Sequence, residues 1–153
     1  MDNSVNQRVI DLLLVEDNPG DIELAREALK ESKILCTLNV VRDGAAALAY
    51  LHKEGDYVHA ARPDLILLDI NLPKENGQEV LKEIKEDEEL RNIPVVILTM
   101  SDAEQDVLKA YRLHANCYIK KPADFSQFVD ILRSIENFWF TIVTLPSIGG
   151  KER

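Results

Sequence analysis

Short runs of Val, Ile and Leu punctuate the chain at 9–15, 36–41, 65–69, 95–99 and 117–120, separated by longer stretches of mixed polarity. Most of these runs are nearly continuous, as the strands of a parallel sheet are when both faces are covered. The second, with Thr37 and Asn39 interleaved, reads as an edge strand. Between the runs, apolar residues recur at helical spacing. A first helix is predicted from Asn18-Pro19, an N-cap followed by proline at the first helical position, with Ile22, Ala25 and Leu29 on one face. A second is predicted over 45–52. A third follows Gly77, read as permitting the turn before it, and groups Val80, Leu81 and Ile84. A fourth is predicted over 103–113. The last, over 124–139, carries Phe125, Phe128, Val129, Leu132, Ile135 and Trp139 at helical spacing. Strict strand–helix alternation predicts a doubly wound α/β sandwich around a five-stranded parallel sheet, because right-handed crossovers leave few other topologies.

The chain has 153 residues, 18 Lys+Arg against 27 Asp+Glu, a net charge of −9 and 46% hydrophobic residues. That length suits one domain, which near this size buries roughly 70% of its unfolded surface. The expected organisation is a single domain over 1–139, with its core from about residue 9, and a C-terminal extension over 140–153. The extension begins apolar (FTIVTLP at 140–146) and ends polar, which suits a flap on its own domain or a dimer contact. A second catalytic or DNA-binding domain is not expected. The acidic balance argues against general binding to nucleic acid or to an anionic membrane, both of which are drawn to basic faces. No apolar run approaches the roughly 20 residues that span a bilayer, and the first eight residues lack the apolar core of a signal peptide. A soluble, cytoplasmic protein is expected. Cys36 and Cys117 are too few for a disulfide framework and read as buried thiols. His52, His59 and His114 have no partner at metal-ligand spacing and read as surface or packing residues. The acidic run over 83–89 reads as a solvated helix face. Neither G-x-x-x-x-G-K nor G-x-G-x-x-G occurs, which argues against nucleotide binding.

In open parallel sheets, ligands bind beyond the carboxyl ends of the strands, where the strand order reverses. The first run ends in Glu16-Asp17, the third in Asp69, the fourth in Thr99, and the fifth runs into Lys121-Pro122. Four of the five strands therefore deliver a polar or charged residue to one edge, where a core has no use for them. Crowded carboxylates repel one another unless a cation neutralises them. Hard oxygen ligands suit Mg²⁺, which takes one or two carboxylates together with phosphate oxygens. A lysine and a hydroxyl facing that metal would hold the other oxygens of a phosphoryl group, and a carboxylate can itself be the nucleophile. A set of helix N-caps with a surface ion pair is the blander alternative.

The stretches Leu-Leu-Val-Glu16-Asp17-Asn18, Asp64-Leu-Ile-Leu-Leu-Asp69, Val96-Ile-Leu-Thr99 and Tyr118-Ile-Lys-Lys121-Pro122 resemble the receiver domain of two-component response regulators. The resemblance runs from about Val9 to Trp139. It implies a flavodoxin-like fold with strand order 2-1-3-4-5 and helices on both faces. It also implies that Asp69 is the phosphoacceptor, served by a sensor histidine kinase. Glu16 and Asp17 match the acidic pair that binds Mg²⁺, with Asp69 and the backbone carbonyl of Asn71 completing the protein ligands. Thr99 matches the switch hydroxyl, Tyr118 the switch aromatic and Lys121 the lysine that grips the phosphoryl group. Glu16 stands where many receivers carry aspartate, and its longer arm is expected to reach the metal through water. Further stretches, Asp69-Ile-Asn-Leu-Pro-Lys, Leu90-Arg-Asn-Ile-Pro-Val, His114-Ala-Asn-Cys-Tyr118, Phe138-Trp139 and Thr144-Leu-Pro146, resemble stand-alone receivers that partner bacterial phytochrome kinases. That subgroup implies a homodimer formed through the C-terminal half. The function implied is a switch with no output domain, which assists its own phosphorylation and dephosphorylation but is no enzyme with an independent substrate.

Three other functions compete. A binding module that works without phosphorylation would not need all five pocket groups. A flavin-binding electron carrier of similar topology would need a hydroxyl- or glycine-rich phosphate loop after the first strand, where Glu16-Asp17-Asn18-Pro19-Gly20 stands instead. A phosphatase with an aspartate nucleophile would carry a second aspartate two residues after the first, where this chain has Asn71.

Overall fold

The computed structural model describes residues 9–72, 76–99, 117–120, 129–130 and 132–134. Five strands form one sheet: β1 (Ile10–Val15), β2 (Cys36–Val41), β3 (Leu65–Asp69), β4 (Val95–Thr99) and β5 (Cys117–Lys120). Their order is β2-β1-β3-β4-β5, and every neighbouring pair is parallel. This is the flavodoxin-like order. The run at 36–41 is the edge strand that its interleaved polar residues predict. The first strand starts one residue later than its apolar run, because pairing begins at Ile10 with Cys36 and leaves Val9 exposed.

Helices α1 (Pro19–Ser32), α2 (Gly44–Leu51) and α3 (Gly77–Glu86) connect the strands. Each begins with a side-chain cap. Asn18 accepts from the Asp21 N–H, Asp43 from the Ala46 N–H and Asn76 from the Gln78 N–H, which satisfies backbone donors left open at a helix start. Lys33 ends α1 in the left-handed region at φ 60°, with its N–H on the Lys30 carbonyl. Two apolar layers sandwich the sheet. On one side α2 and α3 bury Ala47, Tyr50, Leu51, Val80, Leu81 and Ile84 against Leu13, Ile66, Leu68 and Ile97. On the other, Ile22, Ala25 and Leu29 of α1 meet Leu12, Leu14, Leu67, Val96 and Leu98. Leu132 joins this second layer, and Arg133 donates to the Ser32 carbonyl. The helix predicted over 103–113 lies outside the described residues, as do the C-terminal extension and most of the helix predicted over 124–139.

Some expectations about single residues change. Cys36 is half-buried rather than buried, because it lies on an edge strand with no neighbour on its outer side. The Cys117 side chain lies outside the described ones. Gly77 does not serve a turn by positive φ; among the described glycines only Gly55 has one. Instead α3 comes so close to the end of β3 that a Cβ at Gly77 would meet backbone atoms of Asp69 and Ile70 at 2.7 Å. His52 is the surface residue expected, with its Nε2 at 3.6 Å from Asp87 Oδ2. The acidic run leaves its helix at Glu86. Asp87 then turns the chain, its Oδ1 accepting from the Glu89 N–H.

Candidate functional site

The strand register brings the site together. Val15 pairs with Leu68, so Glu16 comes level with Asp69 at the ends of adjacent strands, at the point where the order reverses between β1 and β3. Asp69 pairs with Leu98 and Thr99 with Lys120, so the carboxyl ends of four strands form one edge. At that edge, carboxylate oxygens of Glu16, Asp17 and Asp69 lie within 4.8 Å of one another. Glu16 and Asp69 are buried, at 0% and 1% exposure, and Asp17 is half-buried. Burying carboxylates is costly without partners, and three together repel.

Local hydrogen bonds set the orientation of two of these groups. The Asn18 N–H donates to Glu16 Oε2 at 3.1 Å, which folds the longer arm back onto its own loop. The Asn71 N–H donates to Asp69 Oδ1 at 2.9 Å and fixes the rotation of that carboxylate. Arg42, just past β2, donates from Nη1 to the Asp17 carbonyl at 3.3 Å, and the Glu16 N–H donates to the Val41 carbonyl. The edge strand thereby ties down the acidic loop. Sequence reading missed Arg42, for which no motif signal exists. The fold-back of Glu16 carried a faint one, an acceptor side chain two residues before a backbone donor.

Thr99 is fully buried, and its Oγ1 has no hydrogen-bond partner among the described residues. Most buried hydroxyls are paired, so an unpaired one beside an acidic cluster suits a ligand oxygen. Tyr118 is half-buried against the α2–α3 layer, and burial raises its phenol pKa. Asn71 is exposed at the rim. Lys121, expected to complete the set, lies outside the described residues. The donors are hard anionic oxygens, with no soft ligand in the cluster, and this set fits a divalent cation such as Mg²⁺ or Mn²⁺.

The family model of the response regulator receiver domain matches residues 12–133. Response regulator Rcp1 of Synechocystis sp. is 48% identical over 136 residues, covering 89% of this chain and 92% of that protein. The structure of its Mn²⁺-bound form superposes with a TM-score of 0.71 over 86% of this chain and 94% of that one, at 47% identity. The phosphorylated cyanobacterial phytochrome response regulator RcpA superposes with a TM-score of 0.72 at 52% identity, again over 86% and 94%. For the bacteriophytochrome response regulator RtBRR the TM-score is 0.76 at 47% identity, over 84% of this chain and 78% of that one. Among the described residues, no helix is long and apolar enough to cross a membrane. Fold, register and acidic edge agree with these matches: the chain belongs to the response regulator receiver domain family.

Proposed function

We propose that this chain is a phosphorylation-driven switch in which Asp69 accepts a phosphoryl group from a sensor histidine kinase, in a reaction that needs Mg²⁺. The observation that carries this reading is the convergence at one sheet edge of three carboxylates within 4.8 Å and a buried hydroxyl without a partner. Glu16, Asp17, Asp69 and the Asn71 carbonyl would hold the metal, which supplies positive charge to offset the carboxylates and the incoming phosphoryl oxygens. In the transfer, a carboxylate oxygen of Asp69 attacks phosphorus and the bond from phosphorus to the kinase's histidine nitrogen breaks. The leaving imidazole keeps the electron pair and takes a proton. The Asn71 N–H holds the nucleophilic carboxylate in one rotation meanwhile. Thr99 then donates its hydroxyl to a phosphoryl oxygen and Lys121 pairs with another, and Tyr118 follows the movement of Thr99. A local charge thus biases a two-state surface, which is how a small input alters partner binding. The protein assists its own phosphorylation and dephosphorylation and needs no other substrate.

A kinase of the phytochrome type fits best, because RcpA and RtBRR are named as phytochrome response regulators. We also infer a homodimer formed through the C-terminal half, supported by the apolar stretch at 140–146. The test of the central reading is intact mass after incubation with acetyl phosphate, with and without Mg²⁺, on the wild type and Asp69→Asn. One phosphoryl adduct is expected, dependent on Mg²⁺ and lost in the variant. A wild type that never gains the adduct overturns the reading in favour of a phosphorylation-independent binding module.

A further inference from the structure

We propose that Gly77 is a positioning residue for Asp69, its missing side chain letting the start of α3 brace the peptide that carries the acceptor carboxylate. The proposal rests on Asp69 being the acceptor. Gly77 is the first residue of α3, is buried and has no positive φ, so conformational freedom does not explain it. A glycine in a helix also forfeits up to about 1 kcal/mol relative to alanine. What the position lacks is space. A Cβ there would lie 2.7 Å from the Asp69 carbonyl oxygen, 2.7 Å from the Ile70 Cα and 3.0 Å from the Ile70 carbonyl carbon. All three are backbone atoms, so no side chain can swing aside.

Ile70, the residue after Asp69, is held from both sides. Towards the sheet, the Ile70 N–H donates to the Leu98 carbonyl at 3.1 Å; towards the helix, the Ile70 carbonyl accepts from the Gly77 N–H at 3.2 Å. The next residue, Asn71, supplies the N–H that orients the Asp69 carboxylate. Glu16 and Asp17 lie in the loop after β1 and would not follow a movement of this segment. Pushing it by a few tenths of an ångström therefore misaligns Asp69 against its two partners, while the apolar layers stay where they are.

The test compares Gly77→Ala with Asn76→Ala, which loosens the same helix start by removing the cap on the Gln78 N–H but adds nothing against Asp69. Three quantities are read: urea stability, affinity for Mn²⁺ alone from the free-ion resonance signal, and the rate of adduct formation with acetyl phosphate. Gly77→Ala is expected to weaken Mn²⁺ binding and slow the adduct by about tenfold, on the scale by which small misplacements cost reactive geometry. Asn76→Ala is expected to lower stability while leaving both within about twofold. Equal losses of affinity and rate in the two variants, or none in Gly77→Ala, overturn the proposal while leaving Asp69 as acceptor. A wild type without any adduct removes both. If Gly77→Ala does not fold, hydrogen exchange on the wild type decides. Saturating Mg²⁺ should slow exchange of the Gly77 amide several-fold, and an unchanged rate overturns the proposal.

Discussion

Thr99 keeps a buried hydroxyl that finds no acceptor or donor among the described residues, at the end of a strand whose other members are all apolar. Leaving a buried hydroxyl unpaired costs roughly 1–3 kcal/mol. Thr99→Val keeps the shape and removes that penalty, so it is expected to raise stability by about 1 kcal/mol, or roughly 2–4 °C in Tm for a chain of this size. The same change is expected to slow formation of the phosphoryl adduct. Thermal unfolding and the acetyl phosphate assay, run together, check the opposite signs. Tyr50 offers a different kind of prediction. Burial, and then the negative charge of Asp11, raise its phenol pKa above the ordinary 10.0. The stability it contributes is therefore complete below pH 10 and is lost as pH rises through the raised folded value. Tyr118 adds to that alkaline decline, raised by burial, while Lys85, lowered by burial, works against it. Tyr50→Phe is expected to flatten the decline, which urea midpoints between about pH 8 and 11 would record.

At the scale of elements, caps explain where helices start and what they are worth. Asp43 Oδ1 holds the Ala46 N–H at 2.8 Å, and Asp43→Ala is expected to cost about 1 kcal/mol. Lys33 sits in the left-handed region at φ 60°, where a side chain is strained, and Lys33→Gly is expected to return about 0.5–1 kcal/mol. Urea titrations of the two variants should move in opposite directions. Four of the five strands coincide with their apolar runs, and β3 and β4 are buried at every position. Helix α1 was legible from Asn18-Pro19 for a similar reason: the cap and the ring act locally. Helix α2 starts one residue before the prediction, where the Asp43 side chain caps it. The acidic edge was legible because strand ends in a parallel sheet all point one way. Contacts that depend on how closely elements approach were not legible. The clearance at Gly77, the reach of Arg42 to the Asp17 carbonyl and the His52–Asp87 pair depend on how elements pack, and no periodicity records them.

For the whole molecule, the net charge of −9 discourages random association, so self-association needs a specific apolar contact. The stretch at 140–146 is the candidate for that contact. If the proposed homodimer forms there, Val143→Glu is expected to shift the chain from dimer towards monomer, measured by light scattering across a concentration series. A monomeric wild type would argue against the homodimer.

The cluster of Glu16, Asp17 and Asp69 has one more consequence, because its members come from strands that meet only late in the chain's growth. β1 and β3 are joined by contacts such as the Asp11 N–H on Asp64 Oδ2, which span 53 residues, and β4 must be added before Thr99 stands beside them. Pairings of that range form only after the intervening loop has closed. A chain emerging from the ribosome with its first two strands and helices would hold Glu16 and Asp17 but no Asp69 opposite them. On the proposed reading the site exists only once β1, β3 and β4 are paired, so receiving a signal requires a completed sheet.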